Sequence, residues 1–314
     1  MPNVVLLFPG QGSQAPGMGK DLADRFPAAR DVFVAADAAT GVLLSQLCFE
    51  GPAEELTLTH NAQPALLTHG AAVWAVVRDA LAPHVVAAAG HSLGEFTAHH
   101  AAGTLTLADA VSLVRRRGEL MYDAGQQRPG TMAAILGDTL VPIDDICEQA
   151  TREAALVVPA NYNSPGQVVI SGESAGVIHA MKLAKEAGAK RAVALNVSGA
   201  FHSPLMAGAA TGLQAALDDA PMADPCFPVY ANVNAQPVTD AALARRLLVE
   251  QLTSPVQWTR EVQAIATRYP DALYVEMGPG AVLKGLVKKI APNVNVVSCG
   301  TAAEVDALLA QINA

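Results

Sequence analysis

Gly90-His91-Ser92-Leu93-Gly94-Glu95 follows the apolar run Val85-Val86-Ala87-Ala88-Ala89 and precedes an Ala- and His-rich stretch, Phe96 to Gly103, that reads as helix. A strand, a tight turn and a helix with serine at the apex is the setting of a nucleophile elbow. Glycine at either flank removes Cβ atoms that would clash in so sharp a turn and permits strained dihedrals. The Ser92 hydroxyl would then stand above the end of a sheet. The Leu93 N–H, opening a helix, would face a developing oxyanion. Small-residue strings of this spacing also occur in ordinary loops, so the flanking strand and helix carry the assignment. The expected fold is α/β: an α/β-hydrolase-like large domain built on a parallel sheet.

The 314 residues are enough to bury a sizeable core in one large domain or two smaller ones. With 51% hydrophobic and 16% charged residues, the chain has the make-up of a compact globular protein. Its formal net charge of −9 gives no general basic footprint, so nucleic acid is not an expected partner. The start, Met1 to Phe8, has no cationic segment and too short an apolar run for a secretory leader. No uninterrupted apolar run reaches membrane-spanning length, so no membrane is expected. Cys48, Cys147, Cys226 and Cys299 are scattered without C-x-x-C spacing. A reduced, cytoplasmic enzyme with no metal and no bound cofactor is expected.

Val4 to Phe8 reads as a buried strand running into Pro9-Gly10-Gln11-Gly12-Ser13-Gln14, then a helical segment from about Met18 to Ala39. Gly10-x-Gly12-x-x-Ala15 fits a loose dinucleotide fingerprint, but Pro16 and Gly17 interrupt the helix it needs, and no acid-ended second strand follows. Glu54 to His60 reads as a connection, with helices over Ala62–Leu81 and Leu107–Ala124. From about Gly130 the order becomes strand, helix, strand, strand, helix, strand, with Asn161 to Gly166 as a turn. That order is a ferredoxin-like α+β unit. The predicted domains are therefore a discontinuous large domain, 1–128 and 198–314, and an inserted small domain, 129–197.

A serine nucleophile needs a base near neutral pH. Of eight histidines, His202 alone sits in a Gly/Ser/Pro-bounded loop just after a strand, where the chain re-enters the large domain. An α/β-hydrolase triad would place its acid between serine and histidine, with the histidine late in the chain. Here the chain continues far beyond His202, and no nearby acid stands out. A Ser–His dyad oriented by a backbone group is the expectation. Arg115, Arg116 and Arg117 point about 100° apart around a helix, so at most one or two face a cleft.

Six segments then occur in order: Phe8–Gln14, Gly90–Glu95, Arg116-Arg117-Gly118, Asn161–Gln167, Phe201-His202-Ser203 and Glu276-Met277-Gly278-Pro279-Gly280. Together they closely resemble malonyl-CoA:acyl carrier protein transacylases and the acyltransferase domains of polyketide and fatty-acid synthases, over essentially the whole chain. The resemblance implies that Ser92 is acylated, His202 is its base, and Gln11 and Leu93 supply oxyanion N–H groups. It implies that Arg117 holds the malonyl carboxylate and that Gln251 supports His202 through its backbone. Asn161 and Asn163 would line the cleft, and Phe201 would crowd a branched acyl group. An acidic acyl carrier protein would dock on Lys190, Arg191, Lys284, Lys288 and Lys289. The implied activity is malonyl transfer by a ping-pong route in fatty acid biosynthesis, by a monomer using malonyl-CoA and phosphopantetheinylated carrier protein. The alternatives are a discrete polyketide acyltransferase, a thioester hydrolase on the same scaffold, or an inactive carrier-binding scaffold.

Overall fold

A computed structural model describes residues 2–313. Ten strands are numbered in chain order: β1 Val4–Phe8, β2 Val85–Gly90, β3 Thr131–Leu136, β4 Val157–Ser164, β5 Gln167–Gly172, β6 Arg191–Ala194, β7 Val229–Tyr230, β8 Pro237–Val238, β9 Leu273–Glu276 and β10 Asn295–Ser298. They form a six-stranded sheet in the order β10-β9-β1-β2-β7-β8 and a four-stranded sheet in the order β4-β5-β3-β6. All pairs of the large sheet are parallel except β7 with β8 at one edge. A parallel sheet needs cover on both faces, and β1 shows it. Val4, Leu6 and Phe8 enter one apolar cluster, while Val5 and Leu7 enter the other. The first face is covered by helices that include Pro27–Thr40 and Thr59–Leu81, the second by Trp258–Arg268 and Val282–Ile290.

The Thr59–Leu81 helix with its short extension is long and apolar enough to cross a membrane, yet 67% of that window is buried inside the protein. It is a central core helix here, packed against Pro27–Thr40 and Leu107–Gln127.

The small sheet is antiparallel throughout, with the strand order of a ferredoxin-like unit. Ala133 and Ile135 face its own helices, Ile143–Glu153 and Ser174–Glu186. Met132 and Val169 on the other face pack with residues of helices Leu107–Gln127 and Ala207–Asp219. Alternation along β3 thus joins the small sheet to the large domain. The fold class follows the sequence expectation.

Local boundaries differ from it in three places. The segment from Met18 to Ala39 is two helices, Lys20–Arg25 and Pro27–Thr40, because Pro27 suits the first turn of a new helix and not the interior of an old one. The stretch Glu54–His60 is largely helical, the long helix beginning at Thr59. The expected turn at Asn161–Gly166 shrinks to Pro165-Gly166, since β4 continues to Ser164 through register shifts that keep it paired with β5.

Candidate active site

The elbow forms at the end of β2, with helix Gly94–Ala101 beginning two residues after Ser92. Its glycines are required by close approach: a Cβ on Gly90 would lie 1.9 Å from Gly94 backbone atoms, and one on Gly94 would lie 2.1 Å from the Phe8 oxygen. Ser92 itself takes φ 54, in the left-handed region that non-glycine residues seldom occupy. Its N–H donates to Asn232 Oδ1 at 2.7 Å, and Asn232 Nδ2 donates to the Gly90 carbonyl at 2.8 Å, so one side chain spans the turn.

His202 also has positive φ, 56, in the loop before the short Pro204–Met206 helix. Its Nε2 lies 2.8 Å from Ser92 Oγ, and its Nδ1 lies 2.9 Å from the Gln251 carbonyl. A carbonyl only accepts, so Nδ1 carries the proton and Nε2 presents a lone pair to the Ser92 hydroxyl. No carboxylate hydrogen-bonds His202 among the described residues. The dyad is oriented by backbone, as the sequence implied. Burial and the Arg117 charge push His202 down to about 3, against the opposing Gln251 hydrogen bond, so the ring is neutral at pH 7.

Of the three consecutive arginines, only Arg117 is buried, at 1% exposure. Arg115 turns to Glu119 and to the His60 carbonyl, which Pro64, lacking an N–H four residues on, leaves without its helical partner. Arg117 donates to Gln63 Oε1 at 2.6 Å, to Gln251 Oε1 at 2.8 Å and to Ser92 Oγ at 3.1 Å. Its Nε is buried without an acceptor, a donor left unused inside the site. Burial lowers Arg117 to about 10, with Glu95 opposing, and the guanidinium stays charged at neutral pH. Gly118 sets how close its helix lies to the neighbouring one, for a Cβ there would come within 2.5 Å of His60 Cα.

These groups open on a cavity of about 290 Å³ lined by Gln11, Ser92, Leu93, Arg117, Asn161 and His202, with Phe201 and two methionines, Met121 and Met132, also on its wall. Among the described residues the Gln11 and Leu93 amides have no acceptor, while the Ser92 amide is taken by Asn232. The first two are therefore the donors free to meet an oxyanion. Asn163 is not on the cavity wall. Its Oδ1 accepts from His91 Nε2 at 2.8 Å and fixes that ring beside the nucleophile. Lys190, Arg191, Lys288 and Lys289 are exposed and Lys284 is half-buried, all apart from the cavity lining.

Sequence reasoning did not single out Gln63, Asn232, Glu95 or Glu261. Gln63 stood as one polar residue in an apolar helix, and Asn232 followed a strand end, which were signals of a kind. Glu261 had none.

The acyl transferase domain family profile matches residues 5–306. The malonyl CoA-acyl carrier protein transacylase of Bacillus subtilis is 48% identical over 92% of this chain and 91% of its own length. The Escherichia coli K12 protein of the same name is 44% identical over 92% and 93%. The solved acyl-carrier-protein-S-malonyltransferase of Bartonella henselae superposes with a TM-score of 0.94 at 41% identity, covering 99% of this chain and 100% of its own. A malonyl-transacylase solved in complex with its type II PKS acyl-carrier protein gives 0.93 at 39% identity, covering 98% and 99%. On these matches the chain belongs to the acyl transferase domain family and, within it, to the malonyl CoA-acyl carrier protein transacylases.

Proposed function

We propose that Ser92 takes a malonyl group from malonyl-CoA and that the chain passes it to the phosphopantetheine thiol of an acyl carrier protein, for fatty acid biosynthesis. The observation that carries this reading is a buried guanidinium 3.1 Å from the nucleophile. Arg117 can pair a free carboxylate whose desolvation would otherwise cost several kcal/mol.

His202 Nε2 accepts the Ser92 proton as Oγ attacks the thioester carbonyl, whose oxygen takes up charge facing the Gln11 and Leu93 amides. The carbon–sulfur bond breaks, and CoA leaves with the proton returned from His202. The carrier thiol then gives its proton to His202 and attacks the ester. Ser92 leaves as the hydroxyl, reprotonated by the same ring. This is a ping-pong exchange of one thioester for another. Phe201 is buried against the cavity and restricts substituents on the malonyl Cα. No described group of acidic, His or Cys side chains could hold a metal ion, and the scheme draws on none.

Arg117→Ala tests the reading. It should lower the rate of Ser92 malonylation by about 10²-fold or more, the loss of a charge-assisted pair, and lower the slower reaction with acetyl-CoA by a much smaller factor. Intact-mass measurement across an acyl-CoA panel checks it. Equal losses for both substrates would remove the carboxylate role.

The carrier protein, acidic in this reading, would dock on Lys190 and Arg191 at the start of edge strand β6, with Lys284, Lys288 and Lys289 as a second basic set. Lys182 and Lys185 border the same hollow as Lys190 and Arg191, which supports a cationic face there. Reversing charge at Lys190 and Arg191 together should raise the carrier-protein KM about ten-fold at low salt and flatten its salt dependence. Steady-state kinetics at varied ionic strength would show it. The four cysteines are unpaired, which supports a reducing cytoplasm.

A further inference from the structure

Behind the dyad lies a fully buried polar cluster, Glu95, Asn232, Gln251 and Glu261, none more than 1% exposed and none lining the cavity itself. Glu95 Oε2 accepts from Gln251 Nε2 at 2.7 Å and from the Asn232 N–H at 3.1 Å. The same Gln251 Nε2 reaches the Ser92 carbonyl at 3.0 Å, while Gln251 Oε1 accepts from Arg117 at 2.8 Å. A carboxamide has one accepting and one donating end, and either end fits the available volume. Acceptors on the inner side decide which way round it sits. We propose that Glu95 is a positioning residue for malonyl transfer: through the Gln251 carboxamide it holds the Arg117 guanidinium against the Ser92 turn. This rests on the malonyl-transfer reading above.

Three observations support the assignment. Were the carboxamide reversed, its NH₂ would face the guanidinium donor, and the carbonyl oxygen would face both Glu95 Oε2 and the Ser92 carbonyl. Every one of those contacts would become like against like. Second, Asn232 is fixed in the same sense: its Nδ2 lies 3.1 Å from each Glu261 oxygen, leaving Oδ1 for the Ser92 N–H. Third, two buried carboxyls flanking one asparagine cannot both hold full charge in so dry a place. Burial and the Glu95 charge hold Glu261 well above the usual carboxylate range. Glu95, raised to about 7 by burial, is pulled the other way by Gln251, Asn232 and Arg117. The hydrogen bonds from Gln251 and Asn232 and the Arg117 cation thus favour the carboxylate form at Glu95, on the Gln251 side.

The role separates from plain structural support because the Arg117 guanidinium offers a malonyl carboxylate a charge-assisted pairing that an acetyl group lacks. Glu95→Met fills similar volume without the acceptor. In the intact chain it should slow Ser92 malonylation about 30-fold and acetylation, with acetyl-CoA, by less than about three-fold, the scale of a lost hydrogen bond to a charged group. Glu95→Gln keeps an acceptor oxygen and should recover about ten-fold of that loss. In an Arg117→Ala background the Glu95→Met effect on malonylation should fall below about three-fold, since coupled residues are not additive. If Glu95→Met does not fold, Gln251→Leu cuts the same relay and must show the same malonyl-selective loss. Equal losses with both acyl-CoAs, or an undiminished loss without Arg117, would overturn the proposal. If the unsubstituted chain forms no malonyl ester at Ser92, the functional reading fails instead.

Discussion

Ser92→Ala is expected to abolish the malonyl-enzyme and to lower malonyl transfer by about 10⁵-fold or more, the range seen when a covalent nucleophile is removed. The expectation follows from the geometry of the turn. Oγ is the one group within hydrogen-bond reach of both His202 Nε2 and the Arg117 guanidinium. The carboxylate would still pair with Arg117 in the variant, so malonyl-CoA binding, measured by calorimetry, should change little while chemistry stops. Incubation with malonyl-CoA followed by intact mass measurement reads the ester directly. A malonyl adduct on the alanine variant would mean that another side chain carries the group.

His202→Ala is expected to lower both half-reactions by about 10⁴-fold, because in the proposed scheme one ring serves as base and then as acid in each. The pH dependence of the unsubstituted enzyme has a definite sign. With His202 held near 3 in the free enzyme, its base form persists as pH falls, so kcat/KM should show no His202 limb near 6.5. Once a malonyl carboxylate pairs with Arg117, the repulsion that helped depress His202 is partly cancelled and its pKa rises. The acid limb of kcat should therefore lie at higher pH than that of kcat/KM. Single-turnover malonylation across pH gives both. A kcat/KM limb at 6.5 would contradict the burial and the Arg117 contact on which the argument stands.

Much of this was legible in the residues. Gly90 and Gly94 announced a backbone crossing too tight for Cβ atoms, and β3 to β6 alternated clearly enough to give an antiparallel unit with two helices. His202 could be singled out because its loop followed a strand. What could not be read were the contacts that only tertiary closure creates. Nothing near Glu261 marks it as the neighbour of Asn232, 29 positions away in sequence. Asn163 looked like a turn residue beside a cleft, but sheet pairing extended β4 through it and turned its side chain to His91. Proline and glycine mark where a chain can bend, and neighbouring strands decide how many residues the bend consumes. Gln63 is the opposite case: an amide in a largely apolar helix, 1% exposed, has to find partners, and its oxygen finds Arg117.

Gly118 adds a consequence of a different sort. Because the helix bearing Arg117 rests on the backbone around His60 with no side chain between, the cation's depth is referenced to another main chain and not to deformable packing. Gln63, on the helix that begins at Thr59, clamps the guanidinium from that same side. Nucleophile and cation are thus held like the jaws of a gauge set to one opening. A diacid reaches both jaws only if the spacing between its thioester carbon and its far carboxylate matches that opening, so the site measures chain length as well as charge.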